Sequence, residues 1–230
     1  MSTSKSETCL IKSVLISVFH EVKKAKCKIC RRLGAKLFLR GERCLSPKCP
    51  MLKKAYPPGQ KRKRRPIPLS EYGKESREKQ KLKSWYNLKE RQFKNYVKKV
   101  LAMKGKVEDA SEFLVNLLET RLDNVVFRLG LANSRAQAKQ LVSHAFVLIN
   151  GKSIDTPSYQ VKKGDIISLK SQKMKKANFQ NLKNMLKKYK TPGWLELNVE
   201  KLEGKVIGEP TLEESAPPVE IPAIFEFYSR

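Results

Sequence analysis

The residues with the most evident chemistry are four cysteines in two close pairs, Cys27-x2-Cys30 and Cys44-x4-Cys49. Two thiolates separated by two residues can bind one metal ion from a tight turn, and a second pair after 13 intervening residues can complete a tetrahedral site. The spacing therefore predicts one Zn²⁺ held by Cys27, Cys30, Cys44 and Cys49. The alternatives are ordinary thiols and a disulfide framework; the latter is disfavoured because no cysteine follows Cys49.

The charge balance indicates a polyanionic partner. The 230 residues hold 49 Lys and Arg against 22 Asp and Glu, a net charge of +27. Such self-repulsion adds nothing to the stability of an isolated domain, so nucleic acid is the expected counterpart. The final 40 residues differ, with eight acidic and three basic side chains. We expect that segment to pack on protein rather than on phosphate.

Neither a membrane nor an export pathway is indicated by the sequence. It contains no apolar run of 18 residues and no long basic amphipathic helix with a lipid-facing stripe. A short apolar run at 11–19 is interrupted by Lys12, and no small-residue cleavage site follows it. Zinc-binding cysteines favour a reducing compartment, so the expected location is the cytoplasm. Cys9 is left over from the metal set and is interpreted as a dispensable thiol.

An extended basic arm is expected after the cysteines. Prolines and a glycine at 57–59 break regular structure, and Pro66 follows five adjacent cations. These cations are Lys61, Arg62, Lys63, Arg64 and Arg65. Because the prolines prevent a helix, the arm can follow a phosphate backbone, each contact releasing counterions. The alternative interpretation is a nuclear-localisation string of the same composition.

Two basic helices are predicted next, at about 70–87 and 88–103. Ser70 opens the first, and the apolar residues of both form a narrow stripe. The opposite face is cationic, with few acids in the second helix to form pairs between neighbouring turns. The cations on these faces include Lys79 and Lys81 in the first helix and Arg91 and Lys94 in the second. Tyr72 can stack on a base, although aromatic residues at helical spacing more often lie in the core.

The clearest local structure is an α-α-β-β module. A capping pattern at Asp109 begins a helix whose apolar residues extend to Leu129, where Gly130 ends it. Ser134 begins a second helix. The following strand leads into Asn150-Gly151, which is typical of a type I′ turn, then a returning strand and a further strand within 159–169.

The second helix of this module carries an anion-binding pattern. Arg135 and Lys139 are four residues apart and share one face, and the backbone N–H groups after Ser134 can receive phosphate. His144 and Lys152 are expected nearby, although His144 can equally satisfy a carbonyl at the helix end. The sequence has two histidines, no glycine-rich phosphate loop and no paired carboxylates beside either histidine. It therefore predicts a protein that is not an enzyme and takes no small-molecule substrate.

The features described so far resemble those of bacterial ribosomal protein four of the small subunit. The resemblance extends from about residue 26 to near the end of this chain. The motifs that carry the resemblance include Cys27-x2-Cys30-Arg31-Arg32, Pro57-Pro58-Gly59-Gln60, Leu69-Ser70-Glu71-Tyr72-Gly73, Leu118-Glu119-Thr120-Arg121-Leu122-Asp123-Asn124 and Gln140-Leu141-Val142-Ser143-His144. The chain departs from the family where Lys61-Arg62 replaces a usual His-Gly.

The residues and the resemblance together predict an α+β fold. It comprises a helical N-terminal domain with a zinc knuckle, an inserted α-α-β-β RNA-binding domain and a short C-terminal docking region. The expected parts are an extension without family counterpart (1–20), the knuckle (21–55), the basic arm (56–68), a helical rRNA-binding domain (69–108), the family's namesake RNA-binding domain with a lysine-rich flanking helix (109–190), and an acidic segment that packs on the first domain and on a partner protein (191–230).

The resemblance implies a structural constituent of the small ribosomal subunit. Such a protein binds the 5′ (body) domain of small-subunit rRNA early and nucleates assembly. It also contacts ribosomal protein five and neighbouring proteins and lines the channel through which mRNA enters. The candidate RNA contacts are Arg31, Arg32, Lys61, Arg62, Lys63, Arg64, Arg65, Tyr72, Lys79, Lys81, Arg91, Lys94, Arg121, Ser134, Arg135, Lys139, Gln140, His144 and Lys152.

Two alternatives remain at the level of sequence. The α-α-β-β module also occurs attached to RNA-modifying or aminoacylating enzymes, but only about 60 residues follow it here. A free RNA-binding regulator of translation is the other.

Overall fold

The computed structural model describes residues 26–59, 68–103, 109–170, 182–187 and 189–229. It divides into two compact units, Met1–Pro68 and Leu69–Arg230. The predicted extension at 1–20, the cations at 61–65 and most of the lysine-rich stretch at 173–190 lie outside the described residues. Helices together with one antiparallel sheet confirm the α+β class. None of the helices in the described ranges is both long and apolar enough to cross a membrane.

The first unit is built around its cysteines. Its helical pieces are α1 (26–33), α2 (Glu42–Leu45) and α3 (Pro50–Lys53). Pro50 begins α3, a position where its missing N–H costs nothing. Among the described residues of this unit, the buried apolar side chains are Cys30, Leu37, Cys44 and Cys49. A core this small stabilises a fold poorly by hydrophobic burial alone.

The second unit begins with a helical layer. It contains α4 (Glu71–Trp85), α5 (Glu90–Ala102) and α6 (Ala110–Glu119). The predicted start of α4 is confirmed, because the Ser70 hydroxyl accepts a hydrogen bond from the Gly73 N–H at 3.3 Å. Phe93, Val97 and Leu114 lie at the centre of its core and are fully buried. The apolar stripe predicted for the second basic helix therefore faces α6, whereas α4 packs mainly on the last helix of the chain, Ile221–Ser229.

The single helix predicted after Asp109 is in fact two. α6 ends at Glu119, and α7 (Leu122–Arg128) follows a break at Thr120-Arg121. The physical reason is tertiary: the N–H groups of Leu122 and Asp123 donate to the carbonyls of Tyr159 and Pro157, at 2.8 and 3.2 Å, instead of to the preceding turn. Gly130, with φ of 76°, ends α7 as predicted.

The remaining elements form a five-stranded antiparallel sheet under α7 and α8 (Arg135–Ser143). Its strands are β1 (Val147–Ile149), β2 (Lys152–Ser153), β3 (Ile166–Leu169), β4 (Leu195–Asn198) and β5 (Glu203–Val206), in the order β2-β1-β3-β5-β4. Asn150 and Gly151 have φ of 49° and 79°, the positive values that a type I′ turn requires. The strand expected within 159–169 is shorter than predicted, since Gln160 forms only an isolated bridge with Arg121.

The structure divides the predicted C-terminal docking region between two places. β4 and β5 extend the sheet of the RNA-binding module, beside β3. After α9 (Leu182–Leu186) and α10 (Leu212–Ser215), the final helix α11 (Ile221–Ser229) instead packs on α4 and α5. There Phe227 stacks on Tyr72, with 5.2 Å between the ring centres.

Candidate nucleic-acid interface and cysteine centre

The four predicted metal ligands line one small cavity in the first unit. Cys27, Cys30, Cys44 and Cys49 share it with Lys26, Lys36 and Arg40, and its volume is about 10 Å³. A cavity of this size has room for about one water molecule or a single ion. The structure thus brings together the two cysteine pairs that are separated in sequence.

Hydrogen-bond donors already surround the sulfur atoms. The backbone N–H of Arg40 donates to Cys44 Sγ at 3.4 Å, and Arg40 Nη1 donates to Cys27 Sγ at 3.7 Å. Burial raises the pKa of the Cys30 and Cys44 thiols, while N–H groups of Leu37 and Arg40 offset part of that rise. Backbone donors and nearby cations of this kind stabilise metal-bound thiolates.

The donor set suits zinc, but the ligand geometry is not that of a closed site. Within the described ranges, no three His, Cys, Asp or Glu side chains are arranged to hold a metal ion. The residues nonetheless fit the ion chemically, because four thiolates around Zn²⁺ carry a net negative charge that Lys26, Lys36 and Arg40 would offset. Zinc therefore stays a prediction.

Two arginines follow the first cysteine pair. Arg31 Nε donates to the Tyr56 carbonyl at 3.0 Å, and its guanidinium lies 5.1 Å from the Tyr56 ring centre. Arg32 is exposed. The first arginine is therefore held in place by α1 and the 54–59 segment, and the second is accessible to solvent.

The exposed face of α5 is a continuous cationic stripe, which we call the α5 stripe. It consists of Arg91, Lys94, Lys98 and Lys99, which are all exposed; Arg91, Lys94 and Lys98 follow one another at about one helical turn, and Lys99 is adjacent to Lys98. In the part of the chain that the structure describes, none of the four forms an ion pair with an acidic side chain. Arg91 and Lys94 were predicted RNA contacts, and the structure adds Lys98 and Lys99 to them. The sequence pattern that could have identified these two lysines is their spacing of four and five residues from Lys94, which places them on the same helix face.

A second exposed cationic region comprises the end of α8 and the β1–β2 hairpin. Gln140, His144 and Lys152 are exposed, and Lys139 is half-buried. Burial lowers the pKa of Lys139, and the neighbouring Asp123 opposes that effect. The start of α8 is less open than expected, because the Ser134 hydroxyl accepts from the Gln137 N–H at 3.3 Å and so occupies one of its anion-binding donors.

Three predicted RNA contacts lie in the interior instead. Arg121 is 1% exposed and pairs with Asp123, with Nη2 2.9 Å from Oδ2. Arg135 has a side chain that is 9% exposed. Lys79, 7% exposed, pairs with Glu90. In this structure these side chains have protein partners where RNA was expected, and charge counting along the sequence cannot reveal those partners.

Two further predicted contacts are partly engaged with protein. Tyr72 is 56% exposed, yet one face of its ring is stacked on Phe227. Lys81 pairs with Glu78 one turn earlier in α4. In the second unit, the other predicted RNA contacts that stay exposed are therefore Arg91 and Lys94 of the α5 stripe and Gln140, His144 and Lys152 of the α8–hairpin region.

An acidic groove of about 880 Å³ lies between α4 and the C-terminal segment. The α4 side contributes Glu71 and Glu78, and the C-terminal segment contributes Glu220 and Glu226. Its apolar lining includes Leu212, Pro217, Val219 and Pro222. On a chain with net charge +27, this concentration of acids around an apolar floor is suited to a basic protein segment rather than to phosphate.

Comparison with known proteins gives two matches that together cover most of the chain. Residues 21–119 match the family described as the ribosomal protein S4/S9 N-terminal domain. Residues 120–167 match the S4 domain. The boundary between the two matches falls at the break between α6 and α7.

Individual relatives agree with both matches. Small ribosomal subunit protein uS4 of Halothermothrix orenii is 46% identical over 204 residues, covering 89% of this chain and 96% of the relative. The uS4 protein of Caldicellulosiruptor saccharolyticus is 48% identical with the same coverage. That of Thermus thermophilus is 49% identical over 209 residues, again covering 89% and 96%.

Proposed function

Because the chain belongs to the ribosomal protein S4 (uS4) family, we propose that it is a structural RNA-binding protein of the small ribosomal subunit, located in the cytoplasm. The family is structural, so the chain is not an enzyme. Membership also removes the alternative of a module attached to an RNA-modifying enzyme. The observation that carries the proposal is the α5 stripe, since exposed cations without acidic partners are the residues a polyanion neutralises.

In this proposal the two cationic regions recognise folded rRNA by shape. Arg91, Lys94, Lys98 and Lys99 contact phosphates along one helix face, and Lys139, Gln140, His144 and Lys152 contact a second stretch of backbone. Folded RNA offers phosphates and 2′-hydroxyls in a wide, shallow groove, where side chains read shape more readily than base identity. Such a protein fits early binding to the 5′ domain and nucleation of its assembly.

The acidic groove supports a contact with ribosomal protein five. Glu78 and Glu220 belong to elements far apart in sequence, and the Glu220 N–H donates to Glu78 Oε2 at 3.3 Å, which joins the two walls. A basic, partly apolar segment of the neighbouring protein would satisfy both the carboxylates and the apolar floor. Contact with mRNA in its channel is assigned to Arg64 and Arg65.

The cysteine centre is proposed to hold one Zn²⁺ through Cys27, Cys30, Cys44 and Cys49. When bound, the ion would supply the cross-link that the small core of the first unit lacks. Arg40 would then hold two of the thiolates through its backbone N–H and its guanidinium. The same cross-link would fix Arg31 and Arg32 for contact with RNA.

Binding to RNA fragments tests the proposal. The purified chain should bind a transcript of the 5′ domain of small-subunit rRNA more tightly than an unrelated structured RNA of equal length. Affinity should fall steeply as salt rises, because many phosphate contacts release counterions. Equal affinity for the two RNAs would contradict the assignment to rRNA.

A further inference from the structure

Glu119 is the last residue of α6 and lies at the boundary between the two family matches, 21–119 and 120–167. Its side chain is completely buried. A buried carboxylate is costly unless charged and polar partners surround it. The residues that surround the Glu119 carboxylate therefore show how the two matched regions are joined.

Groups from both sides of the boundary converge on this carboxylate. Directly after α4, Tyr86 Oη donates to Glu119 Oε1 at 2.7 Å. From α7, Arg128 donates through Nε and Nη2 to the two carboxylate oxygens at 2.9 and 2.8 Å, and Asn124 Nδ2 donates to Oε2. Burial alone would raise the pKa of Glu119, but the hydrogen bond and charge of Arg128, the charge of Arg135 and the hydrogen bond from Tyr86 together hold that pKa below its ordinary value. The group is thus an anion that joins two family domains.

Arg135 completes the junction from α8. Its guanidinium lies 4.3 Å from the Trp85 ring centre on the α4 side and 4.6 Å from the Phe127 ring centre on the α7 side. Arg135 Nε donates to Asn124 Oδ1 at 2.7 Å. Within the described residues, Arg135 Nη2 has no hydrogen-bond acceptor, and it lies 4.0 Å from Glu119 Oε1. Ring stacking, the hydrogen bond to Asn124 and the charge of Glu119 therefore hold this arginine.

We propose that Glu119 and Arg135 are positioning residues that fix the S4 domain against the helical layer. We call the set Tyr86, Glu119, Asn124, Arg128 and Arg135 the Glu119 brace. The inference rests on the proposed function in one respect, that the ligand is RNA. With the brace intact, the α5 stripe and the α8–hairpin region keep one orientation relative to each other. Once one of these two regions has bound the RNA, the other is therefore held near its own binding site at a high effective concentration.

Removing the Glu119 charge gives a test in which simple electrostatics and the brace predict opposite results. Glu119→Gln makes a cationic protein more cationic, so charge alone predicts equal or tighter RNA binding. The brace predicts at least about tenfold weaker binding, with a shallower dependence on salt, because one of two contacts is lost. Glu112→Gln is the matched control: it removes the same charge from an exposed position of α6 and should bind RNA as the wild type does or tighter.

Arg135→Lys separates positioning from direct contact with phosphate. Lysine keeps the positive charge but lacks the planar fork that stacks on rings. If Arg135 positions the domain, Arg135→Lys should lose affinity for RNA as Glu119→Gln does. If Arg135 instead contacts phosphate directly, the lysine variant should bind RNA nearly as tightly as the wild type does. Circular dichroism and urea unfolding establish that each variant is folded at the assay temperature. Should Glu119→Gln fail to fold, Tyr86→Phe, which removes one hydrogen bond and no charge, replaces it.

Trp85 fluorescence, measured without RNA, tests this inference separately from the proposed function. The chain has two tryptophans, so Trp194→Phe leaves Trp85 as the only one. In that background, acrylamide should quench Trp85 fluorescence more strongly after Glu119→Gln or Arg135→Lys and equally after Glu112→Gln. A wild-type chain that does not bind rRNA would defeat the proposed function while this measurement still tests the brace. Folded Glu119→Gln and Arg135→Lys variants with wild-type RNA affinity, salt dependence and Trp85 quenching would overturn the inference.

Discussion

Lys79 of α4 and Glu90 of α5 form an ion pair, with 2.8 Å between Nζ and Oε1, and this pair also anchors the last helix of the chain. Lys79 Nζ lies 4.1 Å from the Phe227 ring centre, and Tyr228 Oη donates to Glu90 Oε1 at 3.0 Å. Two of the most basic helices are thus joined to the C-terminal helix by one carboxylate.

This relationship predicts an acid-sensitive contribution to stability. Burial acts to raise the pKa of Glu90, but hydrogen bonds from Lys79, Lys83 and Tyr228 lower it to about 2. Because the folded pKa is depressed, the stabilisation is present above the unfolded pKa of about 4.3 and is lost as pH falls toward 2. Glu90 is 45% exposed, so solvent screening limits the effect to about 1 kcal/mol.

Urea unfolding between pH 2 and 7 measures this contribution. The difference in unfolding free energy between wild type and Glu90→Gln should shrink across that window as pH falls. Glu213→Gln, an exposed acid in α10, is the control and should leave the profile unchanged. A constant difference between wild type and Glu90→Gln at every pH would show that the ion pair contributes nothing.

Metal analysis of the purified chain tests the cysteine centre. We expect one zinc per chain in the wild type and loss of that zinc in Cys27→Ser and Cys44→Ser, because three thiolates no longer close a tetrahedral site. Cys9→Ser is the matched control, since Cys9 lies outside the two pairs and should leave the metal content unchanged. Wild-type protein without metal after purification in zinc-containing buffer would contradict the proposal.

Charge removal in the α5 stripe should weaken RNA binding. Lys94→Gln and Lys98→Gln each remove one phosphate contact, so each should reduce the slope of log affinity against log salt by about 1. Lys74→Gln removes the same charge from an exposed lysine beside the acidic groove, where Glu71 pairs with it at 2.9 Å. If all three variants lose affinity equally, only net charge matters and the stripe has no special role.

The acidic groove predicts a charge-dependent protein contact. Glu220→Lys and Glu226→Lys should each weaken binding of purified ribosomal protein five, because like charges then face each other across the interface. Affinity for rRNA should not fall, since both substitutions add positive charge. Unchanged binding of protein five by both variants would place its contact elsewhere.

Close packing at Gly204 makes a prediction about the sheet. A Cβ added there would lie 2.5 Å from both methyl carbons of Leu129, so Gly204→Ala should destabilise the fold by about 1–3 kcal/mol in urea unfolding. Gly208→Ala is the control, because its nearest neighbours are atoms of Trp194 at 3.8 and 3.9 Å. Equal stability of both variants would mean that β5 can move away from α7 without cost.

Local patterns in the sequence predicted the elements whose signals are local. The caps at Ser70 and Ser134, the stop at Gly130 and the Asn150-Gly151 turn are all confirmed because each depends on a few adjacent residues. The break between α6 and α7 was missed because its backbone donors are satisfied from 157–159, almost 40 positions away. Pairing of β5 with β3 was missed for the same reason.

The candidate RNA contacts show a similar limit. Charge patterning finds cations but not their partners, so Arg135 and Lys79 look as available in the sequence as Lys94 does. Only the folded chain shows that Trp85 and Phe127 enclose Arg135 and that Glu90 and Phe227 engage Lys79. Glu119 stands in one of the motifs that carry the family resemblance, but its burial gave no signal, since an acid in a helical pattern looks the same whether it is buried or exposed.

Sedimentation of reconstituted small subunits tests the central claim most directly. Purified chain is mixed with small-subunit rRNA and the remaining small-subunit proteins, and the particles are separated on sucrose gradients in low and moderate salt. The account predicts one copy of this chain per small subunit at both salt concentrations. Particles that assemble fully without it, while the chain remains at the top of the gradient, would contradict the account.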